Sequence, residues 1–198
     1  MTETDNENRG LQDAFGDRGT NINGITYSHP HGEKIINEAI EALSESETGA
    51  KLLTLLTQKK VPLHIMKGQG DSGFSPEMMT IIIHVSGKTT SLSADILINI
   101  IRALREAAQE IGGFVTPDPR KDVVHYAEFI HARNIDSITT VCKILKELTN
   151  SLLFPVLMKS LNKLGLENMY EAYLAGASKE ELFDVYSEAY YKINRGTI

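Results

Sequence analysis

The sequence predicts an α+β fold, a single mostly helical domain with a small two- or three-stranded sheet. Three observations lead there. "VPLHIMK" (Val61–Lys67) sets Val61, Leu63 and Ile65 on one side of an extended chain, and "MTIIIHV" (Met79–Val85) is a β-branched run of strand length. Every later segment instead repeats its apolar residues at helical spacing. No internal repeat and no second composition regime divides the 198 residues, which suffice for one domain with a true core.

Residues 1–30 are poor in apolar side chains and rich in Asp, Glu, Asn and Gly. They bury too little to offset chain entropy and read as a mobile polar tail, which leaves residues 31–198 as the domain. "EKIINEAIEAL" opens it, with Ile35, Ile36, Ala39, Ile40 and Leu43 on one helical face. After a break around Ser44–Gly49, "GAKLLTLLTQKK" continues in the same period. The two strand-like runs follow, joined by "GQGDSGFSP", whose glycines mark a flexible connection or flap. "SADILINIIRALREAAQEIG" is the longest helical pattern, with Ser93 as N-cap and Gly112–Gly113 as its stop. "RKDVVHYAEFIHARN" and "DSITTVCKILKELTN" read as two helical segments or one bent helix. Pro155 and Gly165 bound the next helix, "NMYEAYLAG" is a short one, and Ser178 with Glu181 forms a capping box for the last.

Charge and composition exclude several classes. The formal net charge of −6 with scattered lysines and arginines speaks against nucleic acid, because no basic patch is segregated to meet a polyanion. One cysteine, Cys142, rules out an intrachain disulfide and a Cys-based metal cluster. Flanked by Val141, Ile144 and Leu145, it reads as a buried thiol. No apolar run reaches the ~18 residues of a membrane span. The acidic N-terminus lacks the basic and apolar regions of a Sec signal, so the expected location is cytoplasmic, with export by other machinery left open.

On a helical wheel of ~100° per residue, Leu97, Ile100, Ile101, Ala107, Ala108 and Ile111 gather about Leu104. Asp95, Asn99, Arg102, Glu106 and Gln109 occupy the other side. The simplest reading is a solvated face with an Arg102–Glu106 ion pair at i,i+4, worth a few tenths of a kcal/mol. The run from Gly49 to Leu148 also resembles a bacterial metallopeptidase domain of unknown function, of zincin-like layout. In that family a helix of the form L-x-H-E-L-R-H-A-x-Q follows a strand pair. Here Ile100, Leu104-Arg105, Ala107 and Gln109 match it. "GAKLLTLLTQKKVPLHI" is similar to the family's helix leading into a strand, and "ARNIDSITTVCKILKEL" to a later helix that carries an acidic run.

The resemblance departs at the chemistry. A zincin needs histidines at i and i+4 to hold zinc and a glutamate beside the first to activate water. Those three places hold Arg102, Ala103 and Glu106. Arginine keeps its proton and its charge repels the metal, and alanine is no base. The family's third acidic position falls near Asp136, with Asn134 as the alternative register. The resemblance therefore implies a degenerate cleft of Arg102, Ala103, Glu106 and Asp136, with no catalytic residue, no metal ligand and no cofactor. The expected partner is a peptide or protein.

Two other readings stand beside this one. "HYAEFIH" spaces His125, Glu128 and His131 three apart, and with Asp136 these could hold zinc in a non-standard hydrolase. Alternatively the chain is a helical interaction protein unrelated to peptidases, with part of the stripe Tyr170, Tyr173, Phe183, Tyr186, Tyr190 and Tyr191 as its surface. Less is expected of the remaining motifs. His29 and His31 mark the start of the fold, His64 and His84 sit in half-buried strands, and "GQGDSGFS" lacks the Lys-Ser/Thr of a phosphate loop.

Overall fold

A computed structural model describes residues 25–114 and 116–194, with side chains as far as Tyr190. The elements run β1 (Ile25–Tyr27), α1 (Gly32–Ser44), α2 (Glu47–Lys59), β2 (Leu63–Lys67), β3 (Gly73–Ser75), β4 (Thr80–Val85), α3 (Ala94–Ile111), α4 (Val123–Glu147), α5 (Phe154–Lys163), α6 (Glu167–Leu174) and α7 (Lys179–Asn194). The fold is α+β and mostly helical, built on one small sheet. Among the described residues no helix is long and apolar enough to cross a membrane.

The sheet has four strands in the order β1-β2-β4-β3. β1, β2 and β4 are parallel and β3 runs antiparallel to β4. Two strands were therefore not anticipated. β1 comes from the stretch assigned to the tail, and β3 from the glycine-rich connection; at three residues each they are too short to show a period. Residues 1–24, the rest of that tail, lie outside the described residues.

β4 enters between β2 and β3, so the chain leaving β2 must cross the end of β4 to reach the sheet edge. Residues 68–72 make that crossing directly over the His84 ring. A Cβ at Gly70 would lie 2.9 Å from His84 Nε2, so any larger residue there would have to push the ring aside. Ser72 Oγ accepts the His84 backbone N–H at 2.9 Å and ties the loop down. The flap reading of "GQGDSG" gives way to a strut.

Alternation then sorts the two faces. Leu63, Ile65, Ile81, Ile83 and Val85 are buried under helices, whereas His64, Met66, Ile82 and His84 on the other face are half-buried. α3 packs on β3 and β4, and α1 on β2. α3 itself is buried on most sides, because α2, α4 and α5 pack around it as well. Ser93 caps it by accepting from the Ile96 N–H at 3.3 Å. α4 is a single helix of 25 residues capped by Asp122. The Ser178–Glu181 capping box forms in both directions, at 2.7 and 3.2 Å.

The first turn of α2 is stitched to the far end of α4. The Glu147 carboxylate accepts from the Thr48 N–H at 2.9 Å and from the Ser46 and Thr48 hydroxyls. These bonds hold its carboxyl below the ordinary range against the opposing effect of burial, the largest single influence on it. Cys142 is fully buried, and burial pushes its thiol up to about 12. It is inert packing, as its apolar flanks imply.

Candidate functional site

The polar stripe of α3 is only partly solvated: Asp95 at its start is exposed, Asn99, Arg102 and Glu106 are half-buried, and Gln109 is buried. Glu106 reaches the sheet edge, where its Oε2 accepts the backbone N–H of Phe74 at 3.2 Å. A Cβ at Gly73 would lie 3.4 Å from the same oxygen, so a small residue there lets the strand come close. Ala103 points the other way and is fully buried in the core. Of the degenerate triplet, Glu106 reaches the strand edge, Arg102 lies one helical turn before it beside Tyr186, and Ala103 joins the core.

The Arg102–Glu106 ion pair expected from the spacing is absent, because Glu106 is drawn to the unpaired strand edge. Asp136 does not join these two residues. It accepts two hydrogen bonds from Arg105, at 2.6 and 3.3 Å, and another from Gln109 Nε2. Arg105 and Asp136 keep 36% and 42% of their side-chain exposure, so the pair contributes on the order of 1 kcal/mol or less. Asn134, the alternative register, is half-buried on the same helix.

Sequence reasoning overlooked Arg133, which is 9% exposed at the centre of the α3–α4 seam. Its guanidinium donates to Thr116 Oγ1 at 3.0 Å and to the Glu106 backbone oxygen at 3.4 Å, and it pairs with Glu110 at 3.8 Å. It also stacks over the Phe74 ring, 5.9 Å from the centroid. The available signal was its place one turn before Ser137 on the apolar face of α4. A lone charge in such a face is usually paired.

Unsatisfied polar atoms concentrate on this seam. Four buried side-chain nitrogens or oxygens among the described residues have no protein hydrogen-bond partner; Gln109 Oε1 and Arg133 Nε belong to the seam, and Arg102 Nε lies on the same helix. Arg102 is half-buried and near enough to Tyr186 of α7 to act on its phenol. Burial lifts that phenol above its ordinary value, and the guanidinium pulls it back.

The histidines are dispersed. His125 and Glu128 are exposed on α4, whereas His131 turns toward α7. Its Nε2 lies 2.9 Å from Ser187 Oγ, and the rings of Phe183, Tyr186 and Tyr190 surround it at 4.6, 5.2 and 6.4 Å. The spacing read as a metal set thus splits between solvent and an aromatic contact. Among the described residues no three His, Cys, Asp or Glu side chains lie close enough to share an ion. His29 is buried, with Nε2 bonded to the Ser86 carbonyl and Nδ1 accepting from the His31 N–H. It fixes the corner between β1 and α1. His64 bonds Thr26 on β1, and its register places it two residues from His84 on the same face. The side chain of Tyr191 lies outside the described residues.

Burial lowers the proton affinity of His131 and of His64 below the ordinary histidine value of 6.5. The unfolded chain is then the better proton acceptor, so this contribution is complete above about pH 6.5 and is lost as pH falls through and below it. Denaturation titrations from pH 7.5 to 5.5 are expected to show stability falling with acid. His131→Phe should lessen the slope, and an unchanged slope would clear His131 of any part in it.

A cavity of about 270 Å³ lies away from this seam, between α1, α2, β1 and β2. Ile36, Leu43, Leu56, Leu63, Ile100 and Leu104 line it, so α3 separates it from the polar stripe. It shares no residue with the strand edge.

Compared with protein-family models, curated proteins and solved structures, the chain matches none of them.

Proposed function

We propose that this chain is a peptide- or protein-binding module on a zincin-like scaffold that has lost zinc binding and hydrolysis. One observation carries the reading. The terminal strand β3 presents the Phe74 N–H to the polar stripe of α3, and a side-chain carboxylate sits where the carbonyl of a neighbouring strand would sit. An unpaired strand edge is a template for an extended chain. Here Glu106 holds the place of such a chain, with Arg102 one helical turn before it on α3. The residue types agree with loss of chemistry, since neither Arg102 nor Ala103 can ligate a metal or activate water.

A fluorescein-labelled, reduced and carboxamidomethylated lactalbumin is a suitable permanently unfolded probe. Saturable binding that is indifferent to a chelator, with the probe intact after incubation with zinc, is the expected result. Absence of binding, or zinc-dependent cleavage, would overturn the proposal. Elemental analysis of untagged protein purified without chelators and offered zinc should find no stoichiometric metal.

Glu106→Ala supplies a sharper test, because it removes the acceptor that competes for the Phe74 N–H. Releasing one hydrogen bond worth about 0.5–1.5 kcal/mol should tighten probe binding by roughly 2- to 10-fold. Weaker binding would place the ligand on Glu106 itself and reject addition at the strand edge.

A further inference from the structure

We infer that Arg102 anchors a carboxylate of the bound chain, an inference that rests on the peptide-binding reading. Four arginines lie among the described residues. Arg105 pairs with Asp136, Arg120 with Asp118 and Arg133 with Glu110. Arg102 has no such pair among the described residues. Its Nε is out of solvent and bonded to nothing, so part of the cost of burying a cation is uncompensated. Glu106, the nearest acid along the helix, is committed to the strand edge.

The planar fork of a guanidinium meets a carboxylate through two parallel N–H donors. A doubly charged group such as phosphate fits less well. Arg102 is the cation left unmatched there, since Arg133 over Phe74 already faces Glu110, and Glu106 one turn away would repel the second negative charge. Arg102 precedes Glu106 by one helical turn of ~5.4 Å, and an extended chain rises ~3.3 Å per residue, so a ligand chain running along α3 would meet Arg102 about two residues from the one opposite Phe74. A chain ending there presents its terminal carboxylate. A longer one presents an Asp or Glu side chain.

The two sources and the two proposals separate in one experiment. Protein labelled with nitrogen-15 is titrated with acetyl-tetraalanine as the free acid, with its amide, with an amidated acetyl-peptide carrying one internal glutamate, and with sodium acetate. The Arg102 Nε–H resonance, identified by its loss in Arg102→Gln, and the Phe74 amide are followed together. The expected result is that the free acid shifts both and binds at least tenfold tighter than its amide, with the difference abolished in Arg102→Gln. A response to the glutamate peptide equal to that of the free acid assigns the site to side-chain carboxylates and equally supports the inference. Shifts at Phe74 with none at Arg102 would overturn the inference and leave strand addition standing. A response of Arg102 to acetate and to no peptide would keep the carboxylate site and overturn the peptide reading. Silence at both positions would overturn both. Arg102→Lys, which keeps the charge and loses the fork, should recover less than a third of the free-acid preference. Melting temperatures of both variants confirm that they are folded.

Discussion

Arg133→Met is expected to lower stability by about 3 kcal/mol and the melting temperature by roughly 6–12 °C. The substitution keeps much of the side-chain volume over Phe74. It removes the cation facing Glu110, whose side chain retains only 10% of its exposure. It also strands the Thr116 hydroxyl and the Glu106 carbonyl, both partners of the guanidinium. Breaking a buried pair from one side leaves a desolvated charge behind, which costs more than the pair was worth. The companion Glu110→Gln should recover part of the loss in the double variant, because an amide tolerates the site better than a lone carboxylate. Thermal and urea denaturation of the single and double variants measure this. A loss under about 1 kcal/mol would show that the pair contributes no more than a surface bridge does.

Gly49→Ala sets two effects against each other. Gly49 lies inside α2, where alanine is favoured over glycine by about 1 kcal/mol. On propensity alone the change would stabilise. However, a Cβ there would fall inside van der Waals contact of the Leu43 backbone oxygen and 3.1 Å from the Leu43 carbonyl carbon, both main-chain atoms at the end of α1. Main chain cannot swing aside as a side chain can. The corner is also pinned, since Ser46 caps α2 through the Gly49 N–H and Glu147 clamps Ser46 and Thr48 from α4. Overpacking against such a joint costs ~3 kcal/mol, which outweighs the helical gain and leaves a net loss of about 2 kcal/mol. A melting temperature equal to or above that of the parent would mean that the two helices separate freely.

Much of this fold was legible in local pattern. The α3 apolar stripe, its Ser93 cap, the Ser178–Glu181 capping box and the buried Cys142 follow from spacing and flanking residues. The candidate site was legible in part. Arg102 and Glu106 were singled out as the unusual residues of α3 and Glu106 does reach the sheet edge, but the pair between them was not formed. The competing partner, the Phe74 N–H, belongs to a strand of three residues that leaves no period in the sequence. Asp136 was placed in the right neighbourhood with the wrong partners, because a wheel ranks residues by angle and says nothing about which of Arg105 and Arg102 lies nearer to α4.

The sequence by itself determined the helices, the two longer strands, the Ser93 and Ser178 caps and the helical majority, all set within a turn or two of chain. Only the tertiary structure decided that β4 inserts between β2 and β3, that Glu106 is drawn from the polar stripe of α3 to the sheet edge, and that Arg133 rather than Asp136 organises the seam. Those outcomes depend on which backbone groups are left unpaired at a sheet edge once distant segments meet. Main-chain hydrogen-bonding demand is the same for every residue type, so no residue announces it.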